Sequence, residues 1–335
     1  MAGRVLLAAG ALLALSGCAG WQNMLDTASA DSSHVAWLTI LFTILLVVIW
    51  AAVMVAVFVA RRGRPGRELH DPLTIDPGFD RRTGYVVGSL VAATLVVVLV
   101  LTGLSYAGQR RLFGPREEAV TIRVTGHQWW WEVRYESQDS SRSFTTANEI
   151  HIPVGQPVNF KLNSSDVIHS FWVPSLTGKL DAITGRENQL RVTAERPGVY
   201  RGQCAEFCGL QHAHMGILVV AESQEEFERW RDGQIAQARQ PEDDERRQGL
   251  AAFAAGPCAM CHTIRGTNAG GKIAPDLTHV GSRRYLAAGA LPMSRGNLAA
   301  WIVDPHSIKP GVNMPTIKLS PDELNAISAY LESLK

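Results

Sequence analysis

Two stretches of this 335-residue sequence carry side chains suited to redox chemistry. The first is Cys204-Ala-Glu-Phe-Cys208-Gly-Leu-Gln-His212-Ala-His-Met215. It puts two thiols, an imidazole and a thioether on one short segment. Another imidazole, His169, lies upstream in Val-Ile-His-Ser-Phe-Trp-Val-Pro. Soft sulfur combined with imidazole is a ligand set for copper, with zinc as the main competitor. A zinc site on Cys204, Cys208, His212 and His214 has acceptable donors, but it leaves Met215 and His169 without a role. The second stretch is Cys258-Ala-Met-Cys261-His262, the attachment spacing of haem c. There two thiols add to the vinyl groups, and the adjacent imidazole lies under the iron. A structural zinc knuckle on the same three residues lacks an obvious fourth ligand nearby. A methionine as sixth ligand raises the potential relative to a second histidine. Met260 sits inside the attachment loop and cannot reach across the ring, which leaves Met293 and Met314.

The elements that position these residues can be read around them. The net charge of +1 gives no case for nucleic acid as a partner. The length allows about two domains. The five cysteines are Cys18, Cys204, Cys208, Cys258 and Cys261. An odd count in an exported chain asks for roles other than disulfides. Residues 1–17 carry Arg4, an apolar run and Leu15-Ser16-Gly17 before Cys18. This is a secretory signal, and Leu-Ser-Gly-Cys resembles the bacterial lipobox, which makes Cys18 the expected lipidated N-terminus. Two uncharged runs follow, about 35–60 and 84–108. Each exceeds the ~20 residues that cross a bilayer as a helix. Arg61, Arg62, Arg64, Arg67, Arg81 and Arg82 lie between them. The positive-inside rule puts that connection in the cytoplasm and both flanks outside.

Beyond the spans the pattern becomes β-prone. Val120-Thr-Ile-Arg-Val-Thr alternates, and short β-branched segments broken by Pro and Gly continue to about residue 222, which predicts a sandwich or small barrel. Ser223-Gln-Glu-Glu226 is a capping box opening a helix with Phe227, Trp230 and Ile235 on one side. The charged, Pro-containing run Gln240–Arg247 reads as a linker. Ser320-Pro-Asp-Glu323 is a second capping box before a terminal helix that buries Leu324, Ile327, Tyr330 and Leu331. The expected organisation is a lipoprotein-type signal peptide (1–17), a membrane hairpin (18–115), a β-domain (116–222), a helix and linker (223–241) and a small α-helical domain (242–335).

Two resemblances add to this reading. Residues 242–335 resemble the class I cytochromes c. In that family the methionine before a proline, ahead of the last helix, is the distal haem ligand, which corresponds to Met314. Ala274-Pro275-Asp-Leu resembles the family's stretch beside the ring, with Ala where Gly is usual. The Cys204–Met215 loop, His169, Gly126-His-Gln-Trp129-Trp-Trp, Asp181-Ala-Ile-Thr-Gly-Arg186 and the two spans resemble cytochrome c oxidase subunit II. Together they match a subunit II fused to cytochrome c, as in bacterial haem–copper oxidases of the caa type.

This resemblance implies a cupredoxin-like β-barrel and a dinuclear copper centre (CuA). Cys204 and Cys208 would bridge the metals, His169 and His212 would each bind one, and Met215 and the Glu206 carbonyl would complete the set. It further implies magnesium at the Glu206 carboxylate, shared with subunit I, and Trp129 as the point where electrons enter. Trp130 stands where the family usually has Tyr. Many members carry a Glu just before the second span, whereas this sequence has Asp80. Glu132, Asp166 and Asp181 read as solvated surface acids that contribute to a face receiving a cytochrome. His127 and His151 read as hydrogen-bonded structure. The implied function is electron transfer from haem c to copper and on to a partner that reduces oxygen to water, with proton translocation. The implied partners are subunit I, subunit III, a donor such as a cytochrome c or a quinol–cytochrome c reductase, and lipid. The implied location is the bacterial inner membrane, with the copper and haem domains on the periplasmic face. The rival reading is a stand-alone membrane-anchored electron carrier.

Overall fold

The computed structural model describes residues 20–62, 77–112 and 120–335. The signal segment, Cys18, Arg64 and Arg67 lie outside the described residues. The chain divides into one unit of His34–Gly114 and another of Met1–Ser33 with Pro115–Lys335.

The smaller unit is built on two long helices, α1 (Ala30–Arg62) and α2 (Pro77–Leu112). Both exceed the span that was read from the uncharged runs. Leu46, Trp50, Leu90 and Leu99 along them are more than half exposed. Large apolar side chains turned outward over such a length are stable in lipid, where the helix satisfies its own backbone. The His34 ring lies against the backbone of Gly108 where the two helices meet.

In the other unit, residues 120–222 form two five-stranded sheets. One has the order β3-β2-β1-β5-β8 and the other β4-β10-β9-β6-β7. The strands are β1 (Val120–His127), β2 (Trp130–Glu136), β3 (Phe144–Ala147), β4 (Glu149–Pro153), β5 (Val158–Ser164), β6 (His169–Trp172), β7 (Leu180–Ala182), β8 (Asn188–Val192), β9 (Gly198–Cys204) and β10 (Gly216–Glu222). Alternation along β1 and β2 sends Ile122, Val124, Trp131 and Val133 inward, as a period of two requires. They meet Phe160, Phe171, Ile150 and Ile152 in one continuous core. Residues 20–29 are tied to this barrel: Ala28 N–H donates to Ser175 O at 2.7 Å, and Glu195 N–H donates to Ala28 O at 2.8 Å.

Helix α3 (Gln224–Ile235) begins at the Ser223–Glu226 capping box. Phe227 is buried in the barrel core, and Trp230 and Ile235 pack on it. The α-helical domain follows, with α4 (Asp244–Ala255), α5 (Cys258–Cys261), α6 (Arg295–Val303), α7 (Pro305–Ile308) and α8 (Pro321–Ser333). Helix α4 starts inside the run that reads as a linker. Asp243 caps it by accepting from Arg246 N–H at 2.8 Å, so acid at the N-terminus of a helix outweighs the charged, linker-like composition. Phe253, Ile327, Tyr330 and Leu331 form the core of this domain. The domain also holds a two-stranded ladder, β11 (Tyr285–Leu286) with β12 (Leu291–Pro292), an addition to the expected all-α pattern.

Candidate copper and haem centres

Strand pairing assembles the first site. Gly216 lies opposite Gln203 in the β9–β10 pair, and Cys204 N–H donates to Met215 O at 2.9 Å. The two ends of the Cys204–Met215 loop are thereby pinned together. Strand β6 pairs with β9 at Phe171 and Cys204, which brings His169, remote in sequence, to the same end of the sheet.

The donors form a continuous cluster. Cys204 Sγ lies 3.7 Å from Cys208 Sγ and 3.8 Å from His169 Nδ1. Cys208 Sγ lies 3.6 Å from His212 Nδ1 and 3.9 Å from Met215 Sδ. The Glu206 carbonyl oxygen is 3.2 Å from Cys204 Sγ. A disulfide needs sulfurs about 2.05 Å apart, so the pair is not one. Two sulfurs at this separation suit a shared ion with metal–sulfur bonds of about 2.3 Å. Cys204, Cys208, Met215 and His169 are all buried. His214 is exposed and bonds instead to Gln211 Oε1 at 2.8 Å through Nδ1, so the Cys2His2 arrangement does not form.

Electrostatics favour a thiolate. The Cys208 thiol donates to Cys204, and that bond is the main reason Cys204 is pushed down to about 3. The same bond holds Cys208 well above the usual thiol range. Burial works against a charged His169, but its bonds to Cys204 and Asp166 outweigh burial and leave its pKa raised.

Asp166 is exposed, as the sequence suggested, but it has a role that sequence reasoning missed: Oδ1 sits 2.8 Å from His169 Nε2 and Oδ2 accepts from Gln128 N–H at 2.7 Å. A carboxylate behind a metal-binding imidazole fixes its tautomer and its ring orientation. Gly126 makes room for that ring, since a Cβ there would lie 2.5 Å from His169 Cδ2. Gln128 and Trp129 form the tip of the β1–β2 hairpin and tie it to the loop. Gln128 Nε2 donates to Cys208 O at 2.8 Å, and Trp129 Nε1 donates to the same oxygen at 2.9 Å. The Glu206 carboxylate is partly exposed, with Lys179 Nζ at 3.9 Å, and the next residue, Phe207, is 78% exposed. His127 stacks on Trp130 and pairs with Ser165. His151 lies between Glu149 and Glu222.

The second site is the Cys258–His262 turn. His262 Nδ1 donates to Pro275 O at 2.8 Å, which leaves Nε2 free to face a metal. Burial lowers the pKa of His262 and favours the neutral ring, the form that ligates. Cys258 and Cys261 are unpaired thiols. Met293 packs on the core of the domain, whereas Met314 lies outside that cluster. The donors therefore fit a haem bound through two thioethers and an imidazole.

The fold and the two donor sets define a membrane-anchored chain that carries a copper-binding barrel and a haem-binding domain. Residues 136–222 match the family described as the periplasmic domain of cytochrome c oxidase subunit II, and residues 247–335 match cytochrome c. Cytochrome c oxidase subunit 2 of Alkalihalophilus pseudofirmus is 33% identical over 331 residues, covering 96% of this chain and 94% of that one. The Bacillus subtilis protein of the same name is 33% identical over 350 residues, covering 99% and 97%. That of Bacillus sp. PS3 is 31% identical over 265 residues, covering 75% and 72%. The chain belongs to the cytochrome c oxidase subunit II family, in the form that carries a C-terminal cytochrome c domain. It is anchored in the membrane by its two helices, with the folded domains outside.

Proposed function

We propose that this chain is the electron-transfer subunit of a proton-translocating cytochrome c oxidase. Electrons enter at its haem domain, pass to a dinuclear copper centre in the barrel and leave to the oxygen-reducing subunit I. When bound, the two groups supply one-electron redox chemistry in series. Cys204 and Cys208 would bridge two coppers, with His169 and His212 as the nitrogen ligands and Met215 and the Glu206 carbonyl as weak ones. Cys258 and Cys261 would hold haem covalently, His262 would be its proximal ligand and Met314 its distal one. The Glu206 carboxylate would share a magnesium ion with subunit I. Subunit III, an external cytochrome c or quinol–cytochrome c reductase, and lipid attached at Cys18 complete the reading.

The observation that carries it is the six-donor cluster joined by contacts of 3.2–3.9 Å. The residues of this chain do the positioning. Asp166 and Gly126 set the His169 ring, Gln128 and Trp129 hold the Cys208 carbonyl, and Pro275 sets His262. A covalent tether of about ten residues keeps the haem domain at high effective concentration near the copper loop. Metal analysis of the purified chain tests the proposal. Two coppers and one covalently held iron per chain are expected, whereas one zinc with no copper would falsify the central claim. Copurification of a large polytopic partner separates an oxidase subunit from a stand-alone carrier.

A further inference from the structure

The haem domain is seated on the barrel, and two of its segments form the seam with the copper site. The first is the turn Ala287-Ala288-Gly289. Ala287 and Ala288 both have positive φ, 52° and 58°, a conformation that side chains with a Cβ seldom adopt. This turn aims its carbonyls across the seam. Ala288 O accepts from Gly216 N–H at 2.9 Å, and Gly289 O accepts from Arg201 Nη2 at 3.2 Å. Gly216 directly follows Met215 of the copper loop.

The second segment runs from α7 to Met314. Asn313 Nδ2 donates to Gln128 O at 3.1 Å, and Pro310 O accepts from Gln211 Nε2 at 2.6 Å. Gly311, with φ +81°, passes so close to Leu210 that a Cβ would lie 2.8 Å from its Cδ1. Within the second segment, Lys309 is 2% exposed and reaches towards the first. Its ammonium donates to Trp129 O at 2.8 Å and to Ala287 O at 3.3 Å. No carboxylate faces it among the described contacts, and burial pushes its pKa down to about 8. A buried ammonium held only by carbonyls is a poor source of stability. What it supplies is geometry, because it joins the hairpin tip, the strained turn and the Met314 segment at one point.

We propose that Lys309 is a positioning residue that locks the Met314-bearing segment of the haem domain onto Trp129, and so sets the path between haem and copper loop within the chain. The inference rests on the proposed pair of redox centres. The contacts run from Lys309 to the Trp129 carbonyl, and from the Trp129 indole N–H to the Cys208 carbonyl. With both groups bound, one electron would pass from ferrous haem to the copper pair along this route, with no bond made or broken and no proton moved. Trp129 itself is only 7% exposed and belongs to the barrel core.

The test compares the parent with Lys309→Met and Asn313→Ala in the intact oxidase. Amide hydrogen exchange across residues 305–313 reads the contact itself, whatever the metal content, and rapid photoreduction of the haem reads its transfer to copper. Lys309→Met is expected to speed exchange and to slow haem-to-copper transfer several-fold, since electron transfer weakens with every added ångström between the centres. Asn313→Ala is expected to do both more weakly. The haem spectrum, haem potential and copper spectrum should stay as in the parent. Unchanged transfer in both variants overturns the proposal, and so does slowing that comes with a shifted haem potential. If Lys309→Met fails to accumulate, Asn313→Ala alone decides by the same two readings. Absence of copper or covalent haem from the parent would refute the proposed function instead, and the exchange measurement would still settle the contact.

Discussion

Replacing Asp166 by Asn tests how the copper site is built. The carboxylate makes three contacts of 2.7–2.8 Å: Oδ1 with His169 Nε2 and Val167 N–H, and Oδ2 with Gln128 N–H. An amide of the same shape must turn an NH2 towards one of these donors, whichever way it flips. It also removes the negative charge behind His169. A hydrogen bond to a charged group contributes about 1.5–3 kcal/mol. Loss of an outer partner of a metal ligand typically costs about 10–100-fold in affinity, or about 1.4–2.8 kcal/mol. The two estimates agree, so Asp166→Asn should weaken copper binding by about 10–100-fold. Competition against a chelator of known affinity, on the full chain in detergent at fixed pH, measures it. Thermal unfolding of the copper-free variant controls for misfolding. A folded variant that binds copper within about twofold of the parent would refute the assignment of Asp166 as the group that sets His169.

Three further outcomes are expected. Gly126→Ala places a Cβ 2.5 Å from a His169 ring that Asp166 and Trp131 hold in place. It should cost about 1–3 kcal/mol, seen as a lower melting temperature and reduced copper occupancy. Met314→Ala should shift the haem spectrum to a high-spin or otherwise altered form, while Met293→Ala, which removes a side chain packed on the core, should lower stability and leave the spectrum unchanged. Burial opposes the charge on His151, but Glu149 and Glu222 outweigh it and raise its pKa above that of an ordinary imidazole. A raised folded pKa stabilises below the unfolded value and loses that contribution as pH rises through the folded one. His151→Gln should therefore lower the melting temperature more at pH 6 than at pH 9, and an equal drop at both would count against the ion-paired network.

Local sequence patterns specify the elements and the donor types. Uncharged runs longer than a bilayer specify spanning helices whatever surrounds them. Alternation in Val120–Thr125 specifies a strand with one buried face. The Ser223–Glu226 and Ser320–Glu323 boxes act within one helical turn, so both helix starts were legible. The Cys258–His262 spacing is local chemistry and could be read directly. The Gln240–Arg247 run misled because its charges fit a linker as well as a capped helix, and only the Asp243 cap separates the two.

Tertiary structure decided everything that depends on strands pairing far apart in the chain. His169 and Cys204 meet because β6 lies beside β9, and no local signal encodes that adjacency. Asp166 is an exposed acid whose second role was illegible, because its partners, the His169 ring and the Gln128 amide, come together only when β1 and β6 converge. Lys309 carried no signal at all. A lysine in a loop is ordinarily solvated, and it becomes a buried link only because one domain seats on another. The sequence thus names the groups proposed to bind copper and haem, and the packing of the two domains sets how they face each other.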